Sequence, residues 1–243
     1  MASLRVHLLP DLVRPEDLEG RTVVVVDILR ATTTVVHALA AGATEVIPLG
    51  SVEESQARAA TLGSAALLGG ERGGKRIPGF DLGNSPVEYT PAKLRGKTLV
   101  FTTTNGTRAM LHSRLAARIM IGAFVNLTAL CREITAAEAI DVVCAGTDRQ
   151  ITREDVLFAG ALGDELCRDR PRECNDQAEL AIDAWRNAAC EMTKGSPLGA
   201  ILRGSLGARN LIEIGQESDI DIAASIDKFD LTPELDATAW RIR

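Results

Sequence analysis

An α/β fold, with helices layered on both sides of a mixed or mostly parallel sheet, is predicted by three features of the sequence. Thr22-Val23-Val24-Val25-Val26 is an unbroken β-branched run, the pattern of a central strand buried on both faces. Further short apolar runs alternate with helix-length segments along the 243 residues. The chain is 46% apolar but only 3% aromatic, so its core must be built from Val, Ile, Leu and Ala, the usual filling between buried strands and flanking helices.

The elements follow in order. After Val26 the chain runs through Asp27 to Thr34, and a helix is predicted over Val35–Ala41, ended by Gly42. A strand follows over Glu45–Leu49. Ser51 then reads as the N-cap of a helix carrying Glu53 and Glu54 in its first turn. Ala65–Leu68 is a short strand. The stretch from Gly69 to Pro91 reads as irregular, with seven glycines and prolines between Gly69 and Gly83; long loops of this kind are often functional. Thr98–Phe101 is a strand, Thr102–Thr107 a polar loop, Arg108–Leu115 a helix, Arg118–Ile121 a strand and Leu127–Glu133 a helix. A third unit opens with the apolar run from Ile140 and turns at Ala145-Gly146-Thr147. Helices are predicted after it over Thr152–Cys167, Asp176–Met192 and Ser196–Leu202.

No segment rich in Pro, Gly or Ser separates free-standing domains, so residues 1–243 read as a single compact unit. Within it, strand, threonine-rich turn, helix, strand, helix occurs twice, about 75 residues apart. A duplication into two similar lobes, 1–95 and 96–243, accounts for this, and so does the ordinary repetition of βα units.

Composition narrows the function. The net charge of −6, with no Lys/Arg-rich run, argues against nucleic-acid binding, which draws its affinity from phosphate neutralisation. No segment is long and apolar enough to span a bilayer, and the charged N-terminal twenty residues do not read as a signal peptide. The five cysteines are odd in number and lack CxxC spacing, which fits reduced thiols in a cytoplasmic protein. A homodimer is the base-rate expectation for such a protein.

Ligands of α/β sheets bind at the carboxyl ends of strands, and three segments fall there: Asp27–Thr34, Thr102–Thr107 and Gly146–Asp155. Thr103, Thr104 and Thr107 offer hydroxyls, Asn105 offers an amide, and Gly106 admits close backbone approach. With a helix N-terminus behind them, these residues form an anion-binding pattern, although a helix cap with spare hydroxyls is an equal reading. Asp27 ends an apolar strand, where a carboxylate is a cap, a metal ligand or a catalytic group; Arg30 can pair with it or bind substrate.

The run Gly69-Gly70-Glu71-Arg72-Gly73-Gly74-Lys75-Arg76 nearly matches a P-loop. Arg76 stands where Ser or Thr is required, and Pro78-Gly79 stop the helix that must follow. What remains is an anion clamp of Arg72, Lys75 and Arg76, with Glu71 and Asp81 as hard-cation donors, or a solvated loop. Glu154 and Asp155 fall in a first helical turn, where acids have a dipole reason of their own. Asp219 and Asp221, lone acids near the chain end, are expected to be solvated. GxSxG, GxGxxG and HExxH are absent. Asp27-Ile28-Leu29-Arg30-Ala31-Thr32 resembles the DxDxT of haloacid-dehalogenase phosphatases, but Leu29 replaces the second acid.

Five phrases occur in order: Val26–Thr34 (VDILRATTT), Gly70–Pro86 (GERGGKRIPGFDLGNSP), Thr102–Thr107 (TTTNGT), Cys144–Asp155 (CAGT…ED) and Ser205–Asp221 (SLGARNLIEIGQESDID). Together they resemble the 2-phosphosulfolactate phosphatase family. The resemblance implies an α/β, Mg²⁺-dependent phosphohydrolase that converts 2-phospho-3-sulfolactate to 3-sulfolactate and phosphate, a step in coenzyme M biosynthesis. It implies a site for a small anionic phosphate ester. Asp27, Arg30 and Asn105 would be catalytic. Arg72, Lys75, Thr103, Thr104, Gly106, Thr107, Asn84 and Ser85 would bind substrate. Metal ligands would come from Asp27, Glu71, Asp81, Glu154 and Asp155. One departure stands out: Asp148-Arg149 follow Cys144-Ala-Gly-Thr147 where the family leads one to expect a glycine.

Overall fold

The computed structural model describes residues 2–243. The chain begins with β1 (Ser3–His7), a strand that the sequence reading does not anticipate, and two short 3₁₀ turns lead to β2 (Thr22–Val26). All five residues of β2 are buried, as its β-branched run requires. Next come α1 (Ala31–Ala40), β3 (Glu45–Pro48) and α2 (Val52–Leu62). Ser51 caps α2 as expected: its hydroxyl accepts the Glu54 N–H at 3.1 Å and the Glu54 carboxylate accepts the Ser51 N–H at 3.2 Å.

The helix α1 starts four residues earlier than predicted. Its threonines are absorbed by backbone bonding, with the Thr32 hydroxyl donating to Asp27 O at 2.9 Å and the Thr33 hydroxyl to Ile28 O at 2.8 Å. The stretch predicted as irregular is ordered at its start. There β4 (Ala66–Arg72) turns through Gly73-Gly74 into β5 (Lys75–Arg76), both glycines having positive φ.

Further along come α3 (Pro91–Leu94), β6 (Thr98–Thr102), α4 (Gly106–His112), β7 (Arg118–Gly122), α5 (Leu127–Ile134) and β8 (Ala139–Cys144). The long α6 (Arg153–Asp169) and α7 (Asp176–Thr193) flank the short edge strand β9 (Glu173–Cys174). They pack so closely that a Cβ on Gly160 would lie 2.0 Å from Ala181 O. The chain ends with α8 (Leu198–Leu202), α9 (Leu206–Glu213), α10 (Ser218–Ala223) and a hairpin of β10 (Glu234–Asp236) and β11 (Arg241–Ile242).

These strands form one mixed sheet in the order β5-β4-β6-β3-β11-β10-β7-β2-β8-β1-β9, with helices around it, as the α/β expectation holds. Two parallel groups can be distinguished. In one, β6 lies between β3 and β4; in the other, β2 lies between β7 and β8. Strands of the two expected lobes therefore interleave, since β6 joins β3 and β4. The antiparallel β10–β11 hairpin joins the groups by pairing with β7 on one side and β3 on the other. Three antiparallel steps reverse the sense of one group relative to the other. The loops that follow β6 and β2 come together all the same.

The carboxyl ends of the two central strands then meet. A Cβ on Gly106, after β6, would lie 2.5 Å from the Ala31 Cβ and 2.8 Å from Asp27 Oδ2, after β2. Both threonine-bearing loops thus follow a strand with a parallel neighbour on each side, and they abut. Among the described residues no helix is long and apolar enough to cross a membrane.

Gly70 makes the contact between β4 and β6 possible. It has φ +142°, and a Cβ there would lie 2.0 Å from Thr102 O. Gly70→Ala should lower unfolding free energy by roughly 3 kcal/mol or more, because strain and a backbone clash combine. Gly20→Ala, with φ +74° but no atom within 4 Å, should cost only about 1 kcal/mol. Denaturant titration of both variants checks the contrast.

Candidate active site

A cleft of about 260 Å³ opens where these loops meet. Asp27 lies on its floor, at the end of β2. Its Oδ1 accepts the Ala31 N–H at 3.1 Å, and its backbone N–H donates to the Thr32 hydroxyl at 3.0 Å, so the start of α1 fixes the carboxylate. Its Oδ2 lies against Gly106. Burial pushes the Asp27 carboxyl up to about 7; the Ala31 N–H opposes the shift, while the charges of Glu71 and Glu154 add to it.

Two further acids are buried behind Asp27, in the first turn of α6. Asp155 accepts the Ile28 N–H on Oδ1 at 2.9 Å and the Gly146 N–H on Oδ2 at 3.0 Å. It thereby ties the end of β2 to the end of β8. Burial first, then the charges of Glu154 and Asp27, push its carboxyl well above the usual range. Glu154 faces the start of α9, and a Cβ on Gly207 would collide with its Oε1. Burial raises the Glu154 carboxyl, against the pull of the Ser205 hydroxyl and the Gly207 N–H. Its Oε2 is buried without a hydrogen-bond partner.

Glu71 comes from the end of β4. One oxygen accepts the Thr104 N–H at 2.8 Å and the other the Gly74 N–H at 2.8 Å, so it links the β6–α4 loop to the β4–β5 turn. Thr103 and Thr107 are buried and occupied with each other: the hydroxyls lie 3.2 Å apart, and each accepts the other residue's N–H. They shape the loop. Thr104 and Asn105 are the residues of this loop that line the cleft.

Arg30 is buried beside Asp27. It donates to Asp219 Oδ2 at 2.7 Å, to Gly74 O at 2.8 Å and to the Gln216 side chain. The Ser85 hydroxyl donates to the other Asp219 oxygen at 2.7 Å. Asp219 is only 1% exposed, which corrects the expectation that it is solvated; Asp221 does lie out in solvent, paired with Arg203. Lone acids are solvated unless a buried cation needs them, and the partner of Asp219 lies 189 residues away in sequence.

Of the residues expected in the site, Asp27, Arg30, Glu71, Asn84, Thr104 and Asn105 line the cleft. Gly106, Thr103, Thr107, Ser85, Glu154 and Asp155 support it from behind. Three others lie outside the lining. Arg72 turns to Thr102 Oγ1 at 3.0 Å and Gly50 O at 3.3 Å, because neighbouring residues of a strand face opposite sides. Lys75 is exposed on β5. Asp81 is exposed and accepts the Leu68 N–H at 2.8 Å.

The sequence reading also missed one wall, where Asn210, Glu213 and Ile214 of α9 and its end face the cleft. Their i, i+3, i+4 spacing marks one helical face. Thr147 and Asp148 complete the rim. Thr147 and Gln150 exchange two backbone hydrogen bonds around Asp148 and Arg149, whose φ values are +50° and +60°. A two-residue hairpin turn of this hand needs positive φ at both central positions. The turn therefore takes a conformation that glycine favours, and this chain holds it with side-chain-bearing residues.

The donors suit a hard divalent cation. Glu154 Oε2 and Asn84 Oδ1 are buried without partners, and all the side-chain groups facing Asp27 from the acids are oxygens. Among the described residues no three His, Cys, Asp or Glu side chains form a metal cage by themselves. Mg²⁺ does not demand one, since it commonly keeps water and substrate phosphate beside one or two carboxylates.

Comparison with known proteins gives the family. Residues 7–238 match the family model described as 2-phosphosulpholactate phosphatase. A protein of Caldanaerobacter subterraneus subsp. tengcongensis, named a probable 2-phosphosulfolactate phosphatase, is 37% identical over 225 residues, covering 92% of this chain and 91% of its own. Proteins with the same name from Symbiobacterium thermophilum and Deinococcus radiodurans are 39% and 40% identical, over 90% and 96% of this chain and 92% of each relative. With a match of this extent, the chain belongs to the 2-phosphosulpholactate phosphatase family.

Proposed function

We propose that the chain is a phosphoric monoester hydrolase that releases phosphate from 2-phospho-3-sulfolactate in the cytoplasm, as a step towards coenzyme M, with Mg²⁺ held by Asp27, Glu154 and the Asn84 side-chain oxygen. The observation that carries this reading is the convergence of buried carboxylates, one of them with an unpartnered oxygen, at the carboxyl ends of two central strands. The names of the relatives support the substrate. When bound, the cation would supply positive charge against the phosphoryl oxygens.

The chain's own groups do the rest. The first N–H groups of α4, at Asn105 and Gly106, have no intrahelical acceptor and point toward the cleft end of the helix, where they would take phosphoryl oxygens. The Arg30 guanidinium, held by Asp219 and Gln216, gives a fixed positive group at the floor. Asp27 Oδ2 orients the attacking water and accepts its proton. Asn84, Asn105 and Asn210 offer neutral donors to the carboxylate and sulfonate.

Phosphate release from 2-phospho-3-sulfolactate with Mg²⁺, abolished by EDTA, is the expected result. Release from other phosphorylated hydroxy acids at higher kcat/KM would move the substrate assignment, and no release from any of them would remove the enzymatic reading.

Asp27→Asn should lower kcat by at least ~1000-fold. It should also stabilise the metal-free protein. The Asp27 carboxyl rises from 3.8 to about 7 on folding, so between those values the folded chain holds a proton that the unfolded chain has released. The contribution is full below pH 4 and is lost as the pH rises to 7. At pH 8 in EDTA the variant should therefore be more stable by about 1–3 kcal/mol, with a flatter slope between pH 4 and 7.

Asp219→Asn keeps the shape of the pair but leaves Arg30 buried beside a neutral group. Denaturant titration should show a loss of roughly 3 kcal/mol, and kcat/KM should fall ~10-fold or more as Arg30 loses its fixed position.

A further inference from the structure

Cys167, far along α6 from the acids of its first turn, faces Cys174 of β9. Their sulfurs are 3.7 Å apart and both residues are half-buried, so a small reagent can reach them. Both backbones are anchored. Cys167 is in the last turn of α6, which is locked against α7 at Gly160. Cys174 pairs with Leu4 in the sheet, and the next residue, Asn175, accepts the Val6 and Ala178 N–H groups on its side chain and donates to Val6 O, all at 3.0 Å.

The connecting loop is clamped too. Arg172 donates to Ala137 O at 2.8 Å and to Thr135 O at 2.6 Å, and Arg170 pairs with Glu138 at 2.7 Å. The thiols therefore meet because of the fold around them.

We propose that Cys167 and Cys174 are a disulfide-forming pair that reacts with a small-molecule disulfide and staples the end of α6 to the edge strand β9. One thiolate attacks a sulfur of the small disulfide, forming a mixed disulfide and expelling one small thiol. The second cysteine then attacks the protein sulfur, forming the intrachain bond and expelling the second small thiol. The two protons lost by the cysteines end on the two thiols released. Burial pushes the Cys167 thiol up to about 12, so the reaction is slow at neutral pH and faster in mild alkali. Cys131 and Cys144 are buried and take no part, while exposed Cys190 is the competing site.

The test is incubation of the intact chain with oxidised glutathione at pH 8.5, followed by non-reducing tryptic mapping. Cleavage after Arg168 and Arg172 separates the two cysteines, so their bond is visible as a linked peptide pair. The expected result is a Cys167–Cys174 link, reversed by dithiothreitol, with Tm raised by ~3–6 °C. Cys167→Ser should abolish both the link and the rise. Glutathione retained as a mixed adduct on the pair, a link to Cys190, or a link that leaves Tm unchanged or lower would overturn the proposal.

Discussion

Much of the site follows from one cost, that of placing Asp27, Glu154 and Asp155 together out of water. Burial favours the neutral form of each; the charge of Glu154 raises Asp27 and Asp155 further, and that of Asp27 raises Asp155. The fold meets this cost unevenly. Asp155 receives two backbone N–H groups and in return fixes the ends of β2 and β8 relative to one another. Asp27 receives one, and Glu154 retains an oxygen with none. The acids thus grade from a structural staple to an unsatisfied acceptor. Unsatisfied buried groups are rare in native proteins and call for a reason, which a bound cation would supply.

The cluster can exist only because the two parallel groups meet. The C-terminal hairpin reverses one group relative to the other, yet the loops after β2 and β6 meet. Gly106 then lets the starts of α1 and α4 touch, since any side chain there would displace Ala31 or the Asp27 carboxylate. Gly207 does the same for α9 against Glu154. Two glycines at helix starts therefore set the distance between the floor of the cleft and two of its walls.

Legibility from sequence followed the range of the interactions. The β2 strand, the Ser51 cap and the alternating elements rest on neighbours in the chain, and they appear as read. Asp27 could be singled out because it ends an apolar strand, and Glu71 because it lies in a glycine run. Asp219 could not, because its meaning comes from Arg30, a partner at the other end of the chain. Arg72 and Lys75 failed to reach the cleft for a local reason that the glycine run concealed: the segment is a hairpin, and its alternation sends Glu71 inward and Arg72 outward. The strands β9, β10 and β11 are two or three residues long, too short to carry a period.

The charge balance of the cleft sets the terms on which an anion can enter. Asp27, Glu71, Asp148 and Glu213 line it, against Arg30, whose charge Asp219 already balances. A phosphate ester bearing further acidic groups would be repelled by this lining unless positive charge arrived with it or before it. Under the proposed reading, cation and substrate therefore each improve the binding of the other, because each offsets a repulsion that the other would meet alone. The same argument accounts for the neutral donors on the rim. Asparagine side chains at 84, 105 and 210 can accept or donate without adding to either charge, so they select an acid by position while the balance is left to the cation and Arg30.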